Sequence, residues 1–411
     1  MPRIPPELCT RCKGYKLLCG LPRCPILDRF RVQIQAATLV RGNNVEGDSP
    51  PSILVGEHGY PRVRIHYMIP PGERGDQAAY REAPGEWSRR KEPLSRIIGL
   101  RSGMVSATIR ARAQDPWRLY ELEVSLAAAS SRPVDSEAEL ARPPTPRLLF
   151  DGVSKPIGPS APAVRVRVSS NPSIPRLVES AISDDELASR MAVELYRRGV
   201  DVYTIQRMLS LGLLGRLRRR RLVPTRWAIT AVDDMVSRHL RERLRGARET
   251  SRTEVYYGEY LGNRFLIVIK PGPGSFEWIE AWHPSGVWTR GAGGLVYWRL
   301  VEDPRGRATA SDGGFSAARL PVLEHLASRG VVGDVVIIRE ILPSYYAPVG
   351  NWHIRETVRR ALEAGPVAVD PLEGELRELV SSRLTVPLRE LESRSLLLGL
   401  GRRITRLTDF M

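Results

Sequence analysis

Cys9, Cys12, Cys19 and Cys24 fall within sixteen consecutive positions, and no other cysteine occurs in the 411 residues. The spacing C-x2-C-x6-C-x4-C delivers two thiol pairs on short loops, which suits a tetrahedral Zn²⁺ that prefers soft ligands. Two disulfides would need an oxidising compartment, and the sequence carries no secretory signal. Four thiolates can also hold an Fe–S cluster, but zinc is the better match to this spacing. A closed set of four thiolates leaves no open coordination position. The expectation is one structural Zn²⁺ in a small module over residues 1–28, without a catalytic role.

The rest of the chain is long enough for two or three domains. No run of 18 apolar residues exists, so no membrane span is expected. The formal charge is +16. Five lysines (13, 16, 91, 155, 270) leave 57 of the 62 cations as arginine. Arginine's planar fork grips phosphate in two places at once, so this balance points to a polyanion, with nucleic acid as the default. A GC-rich genome would also inflate arginine. Scarce amide side chains and many prolines fit a thermophile, and the expected location is cytoplasmic and nucleoid-associated.

Strict alternation at Ile53–Val55 and Val63–Tyr67 predicts strands, with Arg62, Arg64 and His66 on the face opposite the apolar one. Residues 130–162, rich in Pro, Ser and Ala, read as long surface loops. Ser183-Asp-Asp-Glu186 reads as a capping box that opens a helix ending at Gly199, and Val202–Leu211 as a second helix. That pair could be a DNA-reading helix-turn-helix or a core hairpin. Pro224 opens a longer helix with Ile229, Val232, Val236, Leu240 and Leu244 on one face. Beyond Glu254 the period changes to two, with a hairpin turn at Gly262-Asn263 and strands at Phe276–Trp282, Leu295–Leu300 and Val335–Ile341. Helices are expected near Pro321–Ser328 and Trp352–Ala364. The expected class is α+β, with mixed or antiparallel sheets around a central helical block. Its parts are the metal module, residues 29–252, residues 253–400, and a flexible tail at 401–411.

Thirteen arginines and four acids lie between Ile205 and Arg252, a net +9 in about an eighth of the chain. Arg216 and Arg218–Arg221 form an almost continuous run that repels itself unless phosphates or acids offset it. With Arg226, Arg238, Arg241 and Arg245 they are the candidate DNA contacts, of a kind that grips backbone rather than reading bases. A solvated loop is the bland alternative.

Catalytic signals are weak. No G-x4-G-K-[ST] phosphate loop is present. Asp233 and Asp234 could hold Mg²⁺, but adjacent helical carboxylates diverge by about 100°, and pairing with Arg226 or Arg238 is simpler. Glu277 and Glu280, three apart in a strand, belong on opposite faces. His58, on a loop, is the best-placed histidine.

Val223-Pro-Thr-Arg-Trp-Ala-Ile-Thr-Ala-Val-Asp-Asp234 resembles the signature of the archaeal Nre family of DNA repair proteins. So do Cys9–Cys24, Ser52–Gly56 with Gly59–Pro61, Asn171–Pro175, Glu280–Trp282, Gly313–Arg319 and Pro348–Glu356. The resemblance implies a role in the DNA damage response and a C-terminal peptide that docks on the sliding clamp PCNA. Leu407, Phe410 and Met411 meet the spacing of such a peptide. Ile404 stands where the family pattern has Gln, and Met411 replaces the second aromatic. A metal-dependent nuclease or related hydrolase acting on damaged DNA is the alternative reading.

Overall fold

The computed structural model describes residues 11–18, 20, 24–146, 157–168, 172–284, 286, 288, 289 and 292–398. Cys9, Cys19, Asn171 and the tail residues Ile404, Leu407, Phe410 and Met411 lie outside them. The chain is α+β and divides into two compact units. One unit contains Cys24–His239 and Pro348–Gly350; the other contains Leu240–Ala347, Asn351–Met411 and Met1–Arg23.

In the first unit, β1 (Asn44–Ser49), β2 (Ile53–Val55), β3 (Arg62–Ile69), β4 (Val105–Arg112), β5 (Val134–Leu140) and β6 (Ser160–Val168) form one sheet. Its order is β1-β5-β6-β4-β3-β2. The β4–β6 junction is parallel and the other neighbours run antiparallel. The period-two pattern of β3 sorts its residues as expected: Val63, Ile65 and Tyr67 are buried, Arg62 and Arg64 exposed. Each such apolar side chain contributes about 1.5–3 kcal/mol on burial. The sheet curls until β1 lies beside β3, where the Ser49 hydroxyl donates to the Met68 carbonyl at 2.7 Å. Glycine is required at position 47, because a Cβ there would lie 2.1 Å from the Pro70 carbonyl oxygen.

Two expectations need correction here. Residues 130–162 are not simply loops, since they contain β5 and the start of β6. The inward positions of β5 are Val134, Ser136, Ala138 and Leu140. Two small or polar residues among the four hid the alternation. The presumed capping box does not cap either: one helix, Arg176–Ser183, ends at Ser183, and the next runs Ala188–Arg197. The Ser183 hydroxyl turns back to the Glu179 carbonyl at 3.2 Å, and Asp184 instead accepts the Glu186 N–H at 2.8 Å. The following helix, Val202–Ser210, is capped by Asp201, which accepts from the Thr204 N–H at 2.9 Å. Seven of its nine residues are buried, so this second helix packs into the core and is not free to read a groove.

The second unit holds β7 (Arg248–Glu249), β8 (Glu254–Tyr260), β9 (Asn263–Lys270), β10 (Phe276–Trp282), β11 (Val296–Glu302), β12 (Val331–Val332), β13 (Asp334–Ile341) and β14 (Ala368–Val369). Its main sheet has the order β11-β10-β13-β9-β8-β14. β10 and β13 are parallel, a pairing that needs a crossover, and the helix Gly313–Arg329 lies between them in sequence. Phe315 of that helix meets Trp278 and Phe276 on one face, with ring centroids 6.4 Å apart in each pair. On the other face Ile279, Ala281, Val336 and Ile338 cluster with Leu376, Val380 and Leu391. Burial on both faces explains the near-continuous apolar runs of β9 and β13.

The β8–β9 turn is Leu261-Gly262, one residue earlier than expected, with Tyr260 opposite Asn263. Both turn residues have positive φ, 52° and 71°, as primed hairpin turns require. A leucine in that region is unfavourable by roughly 1–2 kcal/mol, which is why composition pointed elsewhere. The helix Gly313–Arg329 also starts eight residues before Pro321, because Asp312 caps it by accepting the Phe315 N–H at 2.7 Å. Among the described residues, no helix is long and apolar enough to cross a membrane.

Candidate nucleic-acid interface

The arginine run is a 3-10 turn, Leu217–Arg219, with its flanks. Arg216, Arg218, Arg219 and Arg221 are exposed, and the side chains of Arg218, Arg219 and Arg221 make no ion pair or hydrogen bond among the described residues. Arg216 acts on Glu186, whose carboxyl is held below its ordinary value chiefly by the Leu187 N–H. Arg220 differs from its neighbours. It is buried and donates to the carbonyls of Gly215, Ile182 and Asp184 at 2.7–2.8 Å, while burial lowers its pKa. The four exposed guanidiniums are thus carried on a turn pinned by the fifth.

Backbone bonds join this turn to the end of β4 and the start of β3. The Leu222 N–H donates to the Ala113 carbonyl at 2.7 Å, and the Ala113 N–H to the Pro61 carbonyl at 2.8 Å. There the antiparallel register sets Arg62 opposite Arg112 and Arg64 opposite Arg110. Directly opposed residues share a face, so four exposed arginines form a ladder. None of the four makes an ion pair or side-chain hydrogen bond among the described residues. The same sheet does otherwise at β5–β6, where Arg165 faces Glu139 and Arg167 faces Glu137. Only the register could show this ladder: Arg62 and Arg64 were legible as an outward pair, but their partners on β4 were not.

The signature segment holds two side chains out beside the ladder. Thr225 starts the helix Thr225–Arg243, accepting from the Val55 N–H at 2.8 Å and meeting the Ser210 hydroxyl at 3.0 Å. Ala228 and Val232 are buried beneath. Arg226 and Trp227 project outward: Arg226 reaches Glu57 at 3.3 Å, and Trp227 meets Tyr60 with ring centroids 5.2 Å apart. Trp227 is 48% exposed and Tyr60 42%. A second exposed aromatic pair, Trp117–Tyr120, lies 5.9 Å apart, with the Arg220 guanidinium 6.0 Å from the Trp117 ring.

The remaining candidates are placed as follows. Arg238 pairs with Asp234 at 2.6 Å, along one helical turn. Arg241 and Arg245 belong to the other unit. Arg245 is exposed, whereas Arg241 is turned inward to Glu302 and the Gly274 carbonyl, with its pKa lowered by burial. Asp233 is buried and accepts from Gln206 at 2.9 Å. His58 is exposed between β2 and β3. No group of three or more His, Cys, Asp or Glu able to hold a metal occurs among the described residues. Cys12 is buried and Cys24 half-buried.

Three other motif segments meet in the second unit. The Arg339 guanidinium donates to Glu280 at 2.7 Å and to Asn263 at 2.7 and 2.9 Å, and meets His353 at 3.3 Å. Burial raises the Glu280 pKa, with Asp312 adding to the rise and Arg339 opposing it. A Cβ on Gly314 would lie 3.5 Å from the Glu280 carboxylate, so the helix start is packed directly over it. Glu277 faces the other way, as expected, accepting from Arg299, Ser395, Leu396 and Leu397 at 2.5–3.0 Å. These buried networks hold elements together.

Fold and surface together define a two-unit α+β protein with an arginine-rich, aromatic-bearing face on its first unit. Residues 18–289 match the family model described as archaeal Nre, N-terminal, and residues 302–410 match archaeal Nre, C-terminal. The chain belongs to the archaeal Nre family. It is 36% identical over 375 residues to the DNA repair protein NreB of Archaeoglobus fulgidus, covering 90% of this chain and 91% of the relative. It is 34% identical over 378 residues to the DNA repair protein NreA of Haloferax volcanii, covering 90% and 88%. No solved structure matches.

Proposed function

We propose that this chain is a DNA repair protein that binds DNA phosphates through the arginine face of its first unit. In this reading it docks on the sliding clamp PCNA through residues 404–411. The observation that carries the DNA reading is the set of exposed arginines at 218, 219 and 221, joined by backbone bonds to a ladder at 62, 64, 110 and 112 that has no ion-pair partner among the described residues. Guanidiniums left without acids repel one another, and a polyanion relieves that repulsion while releasing its own counterions. The names of the relatives support the repair role. The clamp reading rests on the apolar spacing of Leu407, Phe410 and Met411, with Ile404 at the position of the usual Gln.

Cys9, Cys12, Cys19 and Cys24 would hold one structural Zn²⁺ in this proposal. The surroundings of Cys12 suit a thiolate ligand. Burial raises its pKa, but the backbone N–H groups of Leu18, Gly14, Leu17 and Lys16 outweigh that and hold it below its ordinary value. Bound there, the ion would tie the cysteine loops together.

Two binding measurements test the proposal. Fluorescence anisotropy with unrelated duplex and single-stranded DNA should show affinity that falls steeply between about 50 and 200 mM salt. Absence of binding at low salt would overturn the DNA reading. Calorimetry against the cognate clamp should give about −8 kcal/mol, a micromolar complex, and Phe410→Ala should remove most of it. Equal binding with and without residues 404–411 would overturn the clamp reading.

A further inference from the structure

The arginine ladder and the two aromatic pairs go together in a way that phosphate contact alone does not require. Duplex DNA offers phosphates, but its base faces are stacked on one another and give an exposed ring nothing to cover. Tyr60 and Trp227 stand at the start of the ladder, since Tyr60 immediately precedes Pro61 and β3. Their ring planes are inclined by 50°, so the two rings do not cover each other's faces. Trp117 and Tyr120 meet edge to face at 76°, which likewise leaves a face free, and Arg220 lies over the Trp117 ring. Pro116, just before Trp117, is held close to the arginine turn: a Cβ on Gly212 would lie 2.9 Å from the Pro116 Cβ and 2.8 Å from the Arg221 carbonyl oxygen. Three chain segments joined by backbone hydrogen bonds therefore carry cations with aromatic pairs beside them.

Resting on the DNA reading above, we propose that this face binds single-stranded DNA, its phosphates along Arg62, Arg64, Arg110 and Arg112 and its bases stacked on the Tyr60–Trp227 and Trp117–Tyr120 pairs. The chemistry is that of a single-strand groove, in which cations follow the backbone and rings take successive bases with little regard to sequence. Planar arginines suit this better than lysines, because they can stack on a base as well as grip a phosphate. The signature segment supplies Trp227 from the first turn of a helix that Thr225 fastens to β2, so the ring is presented on a rigid element.

The test uses the full chain and three labelled probes: a 12-nucleotide oligothymidylate, an abasic strand of the same length, and a duplex. Oligothymidylate should bind roughly ten-fold or more tightly than the abasic strand. Trp227→Ala should weaken oligothymidylate binding about ten-fold while leaving the abasic strand unaffected, and Trp227→Phe should restore part of the loss. Arg110→Gln should weaken both strands alike. Equal affinity for the two strands, or equal loss of both with Trp227→Ala, would overturn the proposal. Tight duplex binding indifferent to Trp227→Ala and Trp117→Ala would also overturn it, while leaving the phosphate reading intact. No binding to any probe at low salt would remove both.

Discussion

The ladder makes a prediction about stability as well as binding. Arg62 faces Arg112 and Arg64 faces Arg110, and none of the four has a protein partner among the described residues. Directly opposed side chains on an antiparallel pair interact by roughly 0.2–1 kcal/mol, and like charges make that term unfavourable. The double variant Arg110→Gln, Arg112→Gln removes both repulsions, while the glutamine stems keep much of the arginine packing. It should therefore stabilise the first unit by about 0.4–2 kcal/mol. For a unit of this size, each kcal/mol shifts Tm by about 2–4 °C, so the gain should be between about 1 and 8 °C. Differential scanning calorimetry at about 10 mM salt is the assay. The gain should shrink at about 150 mM, where the screening length falls from about 30 Å to about 8 Å. An internal control exists in the same sheet: Arg165 and Arg167 face Glu139 and Glu137, so Arg165→Gln, Arg167→Gln should lower Tm. The ladder variant should at the same time bind DNA more weakly. A lower or unchanged Tm at low salt would refute the reasoning, because it would mean that these arginines already stabilise the fold.

Three further outcomes are expected. Glu302→Gln should destabilise the second unit by about 3–5 kcal/mol in chemical denaturation, because its buried carboxylate pairs with both Arg241 and Arg319 and the neutral amide loses both charge pairs. Arg329 binds Glu254 at 2.5 and 2.9 Å and holds its carboxyl below its ordinary value, outweighing burial. That stability is present above the unfolded glutamate pKa of about 4.3 and is lost as pH falls through the lower folded value. Glu254→Gln should therefore show a smaller loss of stability on acidification below about pH 5, measured by denaturation at successive pH values. Cys12→Ser should lower the zinc content of the purified protein; iron in place of zinc, or no change in content, would refute the proposed site.

Legibility in the sequence followed the range of the interactions. β2, β10 and the helices near Val202 and Trp352 were readable because their patterns are local and strongly apolar. β5 was not, because Ser136 and Ala138 fill inward positions where the curled sheet leaves little room. The start of the helix at Gly313 was hidden by two glycines that resemble a turn, and it was decided by Asp312. At the surface, Arg220 could not be told from Arg218, Arg219 and Arg221 by composition. Its burial depends on carbonyls at Ile182 and Asp184, more than thirty residues away. The ladder needed the β3–β4 register, and the Tyr60–Trp227 pair needed two segments 167 residues apart to meet.

The most direct test of DNA binding by the first unit is the salt dependence of affinity for the triple variant Arg218→Glu, Arg219→Glu, Arg221→Glu. All three side chains are exposed and without side-chain partners among the described residues, so the fold should be unaffected. Each lost phosphate contact should reduce the slope of log K against log salt by about 0.7–0.9. The account predicts a slope smaller by about 2–3, with affinity for unrelated sequences falling by similar factors. An unchanged slope and affinity would contradict it.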